Sequence, residues 1–107
     1  MLAETVAIAE ATGVDPAKFL ETIEGGPLGF PYAQMKGSMM VEEDFPTSFS
    51  ANLARKDAGL VLDAAEAHDL RMQITESVAA RFDEAIQAGH GEEDMAAVYR
   101  VARPESG

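Results

Sequence analysis

Apolar residues recur along the chain at spacings of three and four positions, which is the period of an amphipathic α-helix. Breaks marked by glycine and proline separate these apolar segments from one another. The pattern predicts five to six helices, over residues 2–12, from 16 to the break at 25–27, and over 32–40, 50–68, 73–88 and 92–102.

The helix ends carry recognisable signals. Gly13 stands where a C-terminal glycine ends the first helix, and Asp15 followed by Pro16 is a typical start for the second. No segment resembles a strand. The sequence therefore predicts an all-α fold, a compact bundle of five to six helices in a single domain over residues 1–107, with a frayed tail at 103–107.

The same periodicity predicts which side chains face the core. In the longest helix the predicted buried stripe is Leu53, Leu60, Ala64 and Ala67. In the helix that follows, the predicted inner residues are Ile74, Val78, Phe82 and Ala85 or Ile86. The methionines of the third helix are predicted to fill core space: Met35, Met39 and Met40.

Charge and composition narrow the function. The formal net charge is −11, from 19 acidic against 8 basic residues, which disfavours nucleic acids and anionic membranes as partners. No apolar run reaches the length of about 20 residues that spans a membrane. The chain has no cysteine, which excludes disulfides and thiolate chemistry and suits a reducing compartment, so we expect a cytoplasmic protein.

Two features that could indicate a binding site are better explained without one. The stretch Gly25-Gly26-Pro27-Leu28-Gly29 follows a helix rather than a strand, and Pro27 lacks an amide donor, so we interpret it as a helix stop and a turn rather than a phosphate-binding loop. His68 and His90 are 22 positions apart with no cysteine nearby, and we predict no metal site.

The stretch from Phe49 to Leu60 is more informative. On a helix, Leu53 and Leu60 share one face, and the positions between them on that face hold Lys56 and Asp57. A charged pair within an apolar stripe needs a reason, because burying charge is costly. One explanation is a snorkelling lysine or an ion pair between neighbouring helices. The alternative is a cleft wall that meets an anionic ligand or another domain.

This stretch also carries a family resemblance. The order of Gly25-Gly26-Pro27, Phe45, Phe49, Leu53, Lys56-Asp57 and Leu60 resembles the C-terminal domain of β-hydroxyacid dehydrogenases, particularly the 3-hydroxyisobutyrate dehydrogenase branch. Gly13-Val14-Asp15 and the corner at 88–94 resemble the same family. The resemblance covers nearly the whole chain.

The resemblance implies a function. In such enzymes an N-terminal Rossmann domain holds NAD or NADP, and the helical domain closes the cleft and contributes to the dimer interface. Lys56 would then bind the nicotinamide end of the cofactor, and Phe49 and Asp57 would shape the pocket for a small β-hydroxy acid or its semialdehyde. The implied reaction is reversible hydride transfer accompanied by proton transfer.

The chain departs from the family pattern in three ways. No residue matches the family's catalytic lysine, the Gly-x-Gly-x-x-Gly fingerprint is absent, and Ala58 stands where a leucine is expected. We therefore expect no catalytic residue in this chain, no tight cofactor binding by it alone, and no turnover. The residues do not choose between NAD and NADP or identify the hydroxy acid.

Three hypotheses follow. The chain is a fragment or truncated product of a dehydrogenase, as the uncapped start at Met1 favours, or a non-enzymatic helical module for dimerisation or interaction, or a subunit that completes an active site with a separate Rossmann chain. In each case we expect self-association, as a homodimer or larger, because apolar surface is left exposed.

Overall fold

A computed structural model describes residues 1–103, and these residues form an all-α fold, as the sequence predicts. The α-helices are α1 (Leu2–Ala11), α2 (Pro16–Ile23), α3 (Pro31–Glu42), α4 (Ala51–Ala67), α5 (Gln73–Gln87) and α6 (Tyr99–Ala102), and a 3₁₀ turn (Met95–Val98) leads into α6. The only β-type pairings among residues 1–103 are two isolated bridges.

The predicted helix-end signals between α1 and α2 are confirmed. Asp15 accepts a hydrogen bond on its side chain from the amide of Ala17, at 3.0 Å, and Pro16 is the first residue of α2. Gly13 has a φ of +82°, a left-handed conformation in which a side chain would be strained. These residues thus determine the turn between α1 and α2.

The helices α4 and α5 form an antiparallel hairpin, the most extensive helix pair of the domain. Ala54 and Ala79 are among the buried residues of the two helices, and their small side chains let helix backbones approach closely. An ion pair between Arg55 Nε and Asp83 Oδ1, at 2.8 Å, joins the hairpin near the start of α4 and the end of α5.

The apolar core has two parts. The larger cluster lies between α1, α3 and the C-terminal segment and consists of Ala3, Val6, Ala7, Met40, Phe45, Ala96, Ala97 and Tyr99. The smaller cluster lies on the hairpin and consists of Ala51, Ala54 and Phe82. Val98 packs against both clusters, so the C-terminal segment is the element that connects them.

The predicted inner face of α4 was wrong. Leu53 is 49% exposed and Leu60 is 58% exposed, and Ala64 and Ala67 are exposed as well. The opposite face of α4 is buried, through Ala51, Ala54 and Ala65. Both faces are apolar by composition, and the face with the smaller side chains packs against the neighbouring helices.

Other predicted core positions also lie at the surface. Ile74 is 82% exposed and Val78 is 40% exposed, whereas Phe82 and Ala85 farther along α5 are buried as predicted. Met35 is exposed, whereas Met40 is buried and Met39 is partly buried. The first half of α5 and the start of α3 therefore present apolar side chains to solvent.

The helix predicted over residues 92–102 begins later and in a tighter form. Residues 91–94 form a turn, and Asp94 caps the 3₁₀ turn by accepting a hydrogen bond from the amide of Ala96. Arg103 makes an ion pair with Glu43, and the rest of the predicted frayed tail, 104–107, lies outside the described residues.

The glycine-rich stretch forms a turn that uses its own amides. The amide of Gly26 donates to the carbonyl of Ile23, and the amide of Gly29 donates to the carbonyl of Gly26, each at 3.1 Å. A Cβ at Gly29 would lie 1.9 Å from the Ile23 carbonyl oxygen. The backbone approach at this turn therefore requires a residue without a side chain.

We predict that Gly29→Ala destabilises the domain by at least about 2 kcal/mol, because the carbonyl of Ile23 is part of the backbone and cannot move aside cheaply. Gly26→Ala is the matched control, since its Cβ would meet the same oxygen at an ordinary 3.5 Å. Urea unfolding of both variants measures the difference. Equal stabilities would contradict the steric explanation.

Candidate functional site

The start of α4 presents the predicted site residues on the surface of the domain. Ser50 caps the helix, its side chain accepting from the amide of Leu53 at 3.2 Å. Lys56 and Asp57 follow in the second turn, and both are exposed. Together with Leu53 and Leu60 they form a face that we call the α4 outer face.

The stripe that Lys56 and Asp57 interrupt is not buried, so neither charge carries a burial penalty. The ion pair between helices that was one explanation for these residues is made by the preceding residue, Arg55, with Asp83. Within residues 1–103, neither Lys56 nor Asp57 takes part in an ion pair.

Phe49 lies immediately before α4, and its backbone is held on both sides. Its amide donates to Asp94 Oδ1 at 3.2 Å, and its carbonyl accepts from the amide of Met95 at 2.7 Å. The side chain of Phe49 is nevertheless 38% exposed. The structure thus presents a partly exposed aromatic ring on a fixed backbone, directly before Ser50, the residue that caps α4.

A buried ion pair that the sequence did not reveal lies beneath Phe49. Lys36 Nζ contacts both carboxylate oxygens of Asp94, at 2.8 Å and 3.0 Å, and the two residues are 4% and 0% exposed. Asp94 also accepts hydrogen bonds from the amide and hydroxyl of Ser48 and from the amides of Phe49 and Ala96. The carboxylate therefore connects α3, the start of α4 and the 3₁₀ turn.

These contacts hold Asp94 in its charged form. Burial by itself would raise the pKa of this carboxyl, but the hydrogen bond from Lys36 and those from the amides of Ala96, Phe49 and Ser48 outweigh it. The result is a pKa lowered from 3.8 to about 2.

Sequence reasoning had only a weak signal for this pair. In the sequence, Asp94 is one of three consecutive acids near the start of the predicted last helix, and Lys36 is a polar residue between Met35 and Met39. A buried charge needs a partner, but the partner lies 58 positions away in the sequence. Only the tertiary structure brings the two residues together.

The two histidines that were considered as metal ligands have different surroundings. His90 Nδ1 lies 2.8 Å from Glu93 Oε1, and Arg100 Nε contacts the same carboxylate oxygen at 3.0 Å. His68 is exposed at the end of α4. Within residues 1–103, no group of three or more potential ligand side chains lies close enough to hold a metal ion. In the same part of the chain, no helix is both long and apolar enough to cross a membrane.

Comparisons of sequence and of structure with known proteins point to the same family. A family model described as NAD-binding of NADP-dependent 3-hydroxyisobutyrate dehydrogenase matches residues 1–102. A crystal structure of 3-hydroxyisobutyrate dehydrogenase from Salmonella typhimurium superimposes with a TM-score of 0.85 at 25% identity, over 94% of this chain and 35% of that one.

Two curated relatives are similar along almost the whole chain. Glyoxylate/succinic semialdehyde reductase 2, chloroplastic, from Arabidopsis thaliana is 28% identical over 101 residues, 94% of this chain and 28% of its own length. Cytokine-like nuclear factor N-PAC from Anopheles gambiae is 28% identical over 102 residues, 95% of this chain and 18% of its own length. The chain therefore spans less than a third of either relative.

We predict that the domain loses stability in acid as Asp94 becomes protonated. Because the folded-state pKa is depressed, the stabilisation is complete above the ordinary carboxyl pKa near 4 and is lost as the pH falls through about 2. The lowered pKa corresponds to about 2 kcal/mol. Urea unfolding between pH 5 and pH 2 measures the free energy of unfolding at each pH. In Asp94→Asn, the fall of this free energy over the same pH range should be smaller by the same amount. An unchanged slope in the variant would contradict the assignment.

We predict that Lys36→Met destabilises the domain by roughly 3–5 kcal/mol, because it leaves the Asp94 carboxylate buried without its cation. Lys18→Met is the control, since Lys18 pairs with Glu21 at 3.8 Å on the exposed surface and should lose less than about 0.5 kcal/mol. The double variant with Asp94→Asn should recover part of the loss. Similar costs for both lysines would argue against a structural role for the buried pair.

Proposed function

The chain belongs to the 3-hydroxyisobutyrate dehydrogenase family, and on that premise we propose that it forms one wall of an active-site cleft in an NAD(P)-dependent oxidoreductase. The proposed substrate is a small β-hydroxy acid or the corresponding semialdehyde. The opposite wall is a Rossmann domain that holds the cofactor. The domain faces it with the α4 outer face.

The observation that carries this proposal is the composition of that face. Leu53 and Leu60 are exposed on α4 one turn before and one turn after Lys56. Lys56 makes no ion pair with another described residue. Single exposed apolar residues are ordinary, but a helix face on which several apolar residues (Leu53, Leu60, Ala64 and Ala67) are exposed together favours a partner surface. A cation within such a face suits an anionic group, such as a phosphate or a carboxylate, that the partner brings.

Each residue then has a proposed role. Lys56 contacts the nicotinamide end of the cofactor, and its charge balances the anionic ligand. Phe49 gives the substrate pocket a rigid apolar wall, supported by the fixed backbone on which the ring stands. Asp57 accepts a hydrogen bond from a substrate hydroxyl. The bound cofactor supplies the chemistry of hydride transfer.

The chain alone is proposed to complete a site rather than to act by itself. No residue of this chain matches the catalytic lysine of the family that it resembles, so we assign no proton-transfer residue to it. We propose no tight cofactor binding by the isolated chain, and self-association into a dimer or larger assembly. A cytoplasmic location remains a prediction, and the relative from Arabidopsis thaliana is chloroplastic by name.

A second candidate is a helical interaction module with no catalytic role. The relative from Anopheles gambiae is named a cytokine-like nuclear factor and not an enzyme, although it is as similar to this chain as the reductase is. In that case the same apolar face of α4 would bind a protein and not a cofactor. The two candidates differ in whether Lys56 affects cofactor binding.

We predict that Lys56→Gln, in a polypeptide that joins this domain to its nucleotide-binding domain, raises the KM for the cofactor by at least about tenfold, because a charge-assisted contact is lost. Lys18→Gln, on the exposed surface of α2, is the control and should leave the KM unchanged. Steady-state kinetics with glyoxylate, succinic semialdehyde and 3-hydroxyisobutyrate measures the effect.

The outcomes separate the candidates. If the Lys56→Gln variant turns over with an unchanged KM for the cofactor, the proposed role of Lys56 is refuted, whereas the proposed oxidoreductase activity stands. Absence of NAD(P)-dependent turnover with every substrate tested would favour the interaction module. Circular dichroism of both variants should match the parent, because Lys56 and Lys18 are exposed.

A further inference from the structure

The short segment before α4 depends on one side chain for its position. The amides of Ser48 and Phe49 both donate to Asp94 Oδ1, at 3.1 Å and 3.2 Å, and the hydroxyl of Ser48 donates to the same oxygen at 3.1 Å. Within residues 1–103, neither amide has a backbone acceptor. On its amide side, the placement of Phe49 therefore depends on the Asp94 carboxylate.

That carboxylate is itself held in place through both of its oxygens. Lys36 Nζ lies 3.0 Å from Oδ1 and 2.8 Å from Oδ2 of Asp94, and the amide of Ala96 donates to Oδ2 at 3.0 Å. Charge-assisted hydrogen bonds of this kind are strong and directional. The carboxylate cannot rotate without losing one of them, so it is a fixed acceptor for the segment before α4.

The helix α4 has a separate attachment to the same part of the fold. Its first two amides donate to the backbone carbonyls of residues 93 and 91, each at 2.9 Å, and these bonds involve no side chain. A change confined to the Asp94 side chain should therefore displace Phe49 and leave Lys56, in the second turn of α4, where it is.

We propose that Asp94 is a positioning residue of the substrate pocket: its carboxylate sets where the ring of Phe49 lies, and through that ring it sets the KM for the substrate. This inference rests on the proposed function, in which Phe49 forms a wall of the pocket. Asp94 is 0% exposed, so it acts only through the residues that it holds. A small displacement of a residue that positions the substrate is enough to weaken catalysis strongly.

An amide side chain cannot replace this carboxylate, although it has nearly the same shape. The groups that face its two oxygens are donors, namely the ammonium of Lys36 and the amides of Ser48, Phe49 and Ala96. Whichever way the side chain of Asp94→Asn turns, its NH₂ group faces a donor and leaves that donor unsatisfied. The substitution should therefore shift the segment before α4.

The test measures two KM values in the polypeptide that joins this domain to its nucleotide-binding domain. Asp94→Asn should raise the KM for the hydroxy acid or semialdehyde by at least about tenfold and change the KM for the cofactor by less than about twofold. Gly29→Ala is the control for lost stability, because it weakens the fold at a separate turn, against Ile23, and it should change neither value below its unfolding temperature.

A double variant tests whether Asp94 acts through the ring. Phe49→Ala should raise the same KM as Asp94→Asn and spare the cofactor in the same way. Combining the two substitutions should add less than about twofold to the larger single effect, because both remove the same contact with the substrate.

A milder substitution tests the same link with both buried charges in place. Ser48→Ala removes one donor to Asp94 Oδ1 and should raise the KM for the substrate by about threefold, with the cofactor unaffected. Ser38→Ala, at an exposed position of α3, is the matched control and should leave both values unchanged. If Asp94→Asn does not fold, this pair decides: an unchanged substrate KM in Ser48→Ala would overturn the proposal.

The remaining outcomes separate this inference from the proposed function. A parent polypeptide that turns over, with both KM values raised equally in Asp94→Asn or with effects of Asp94→Asn and Phe49→Ala that multiply in full, would overturn the positioning role alone. A parent polypeptide without NAD(P)-dependent turnover would overturn the proposed function and this inference with it.

Discussion

The buried ion pair of Lys36 and Asp94 is the constraint on which the arrangement of the domain depends. Taking two charges out of water is costly, and the cost is offset only when every remaining hydrogen-bonding position is filled. Asp94 meets this condition with donors from three separate parts of the chain: α3, the residues that start α4, and the 3₁₀ turn. No single element can shift without leaving part of the carboxylate unsatisfied.

That constraint determines how α4 begins and which face it buries. The first two residues of α4 are joined to the residues before Asp94 by backbone hydrogen bonds, from the amide of Ala51 to the carbonyl of Glu93 and from the amide of Asn52 to the carbonyl of Gly91, each 2.9 Å long. With its first turn fixed, α4 packs through its alanines. The larger apolar residues Leu53 and Leu60 remain outside, together with Lys56.

The distribution of apolar surface follows from the small size of the core residues. Alanine allows helices to approach closely but buries little area, so much of the larger aliphatic content is left for other surfaces. Among residues 1–103, two such surfaces are the α4 outer face and the open apolar groove between the first turn of α1, the first half of α5 and the C-terminal segment, and they differ in chemistry. The first contains an exposed cation and an acid, whereas the charges around the second are largely paired within the domain.

The sequence alone determined the helical class, the helix ends at Gly13 and Asp15-Pro16, and the family resemblance, because these depend on local backbone preferences and on residue order. It did not determine that α4 buries its alanines. Periodicity identifies residues that share a face, but not which of two apolar faces a neighbour covers. Nor could it pair Lys36 with Asp94, since a contact between residues 58 positions apart exists only once the helices between them have packed.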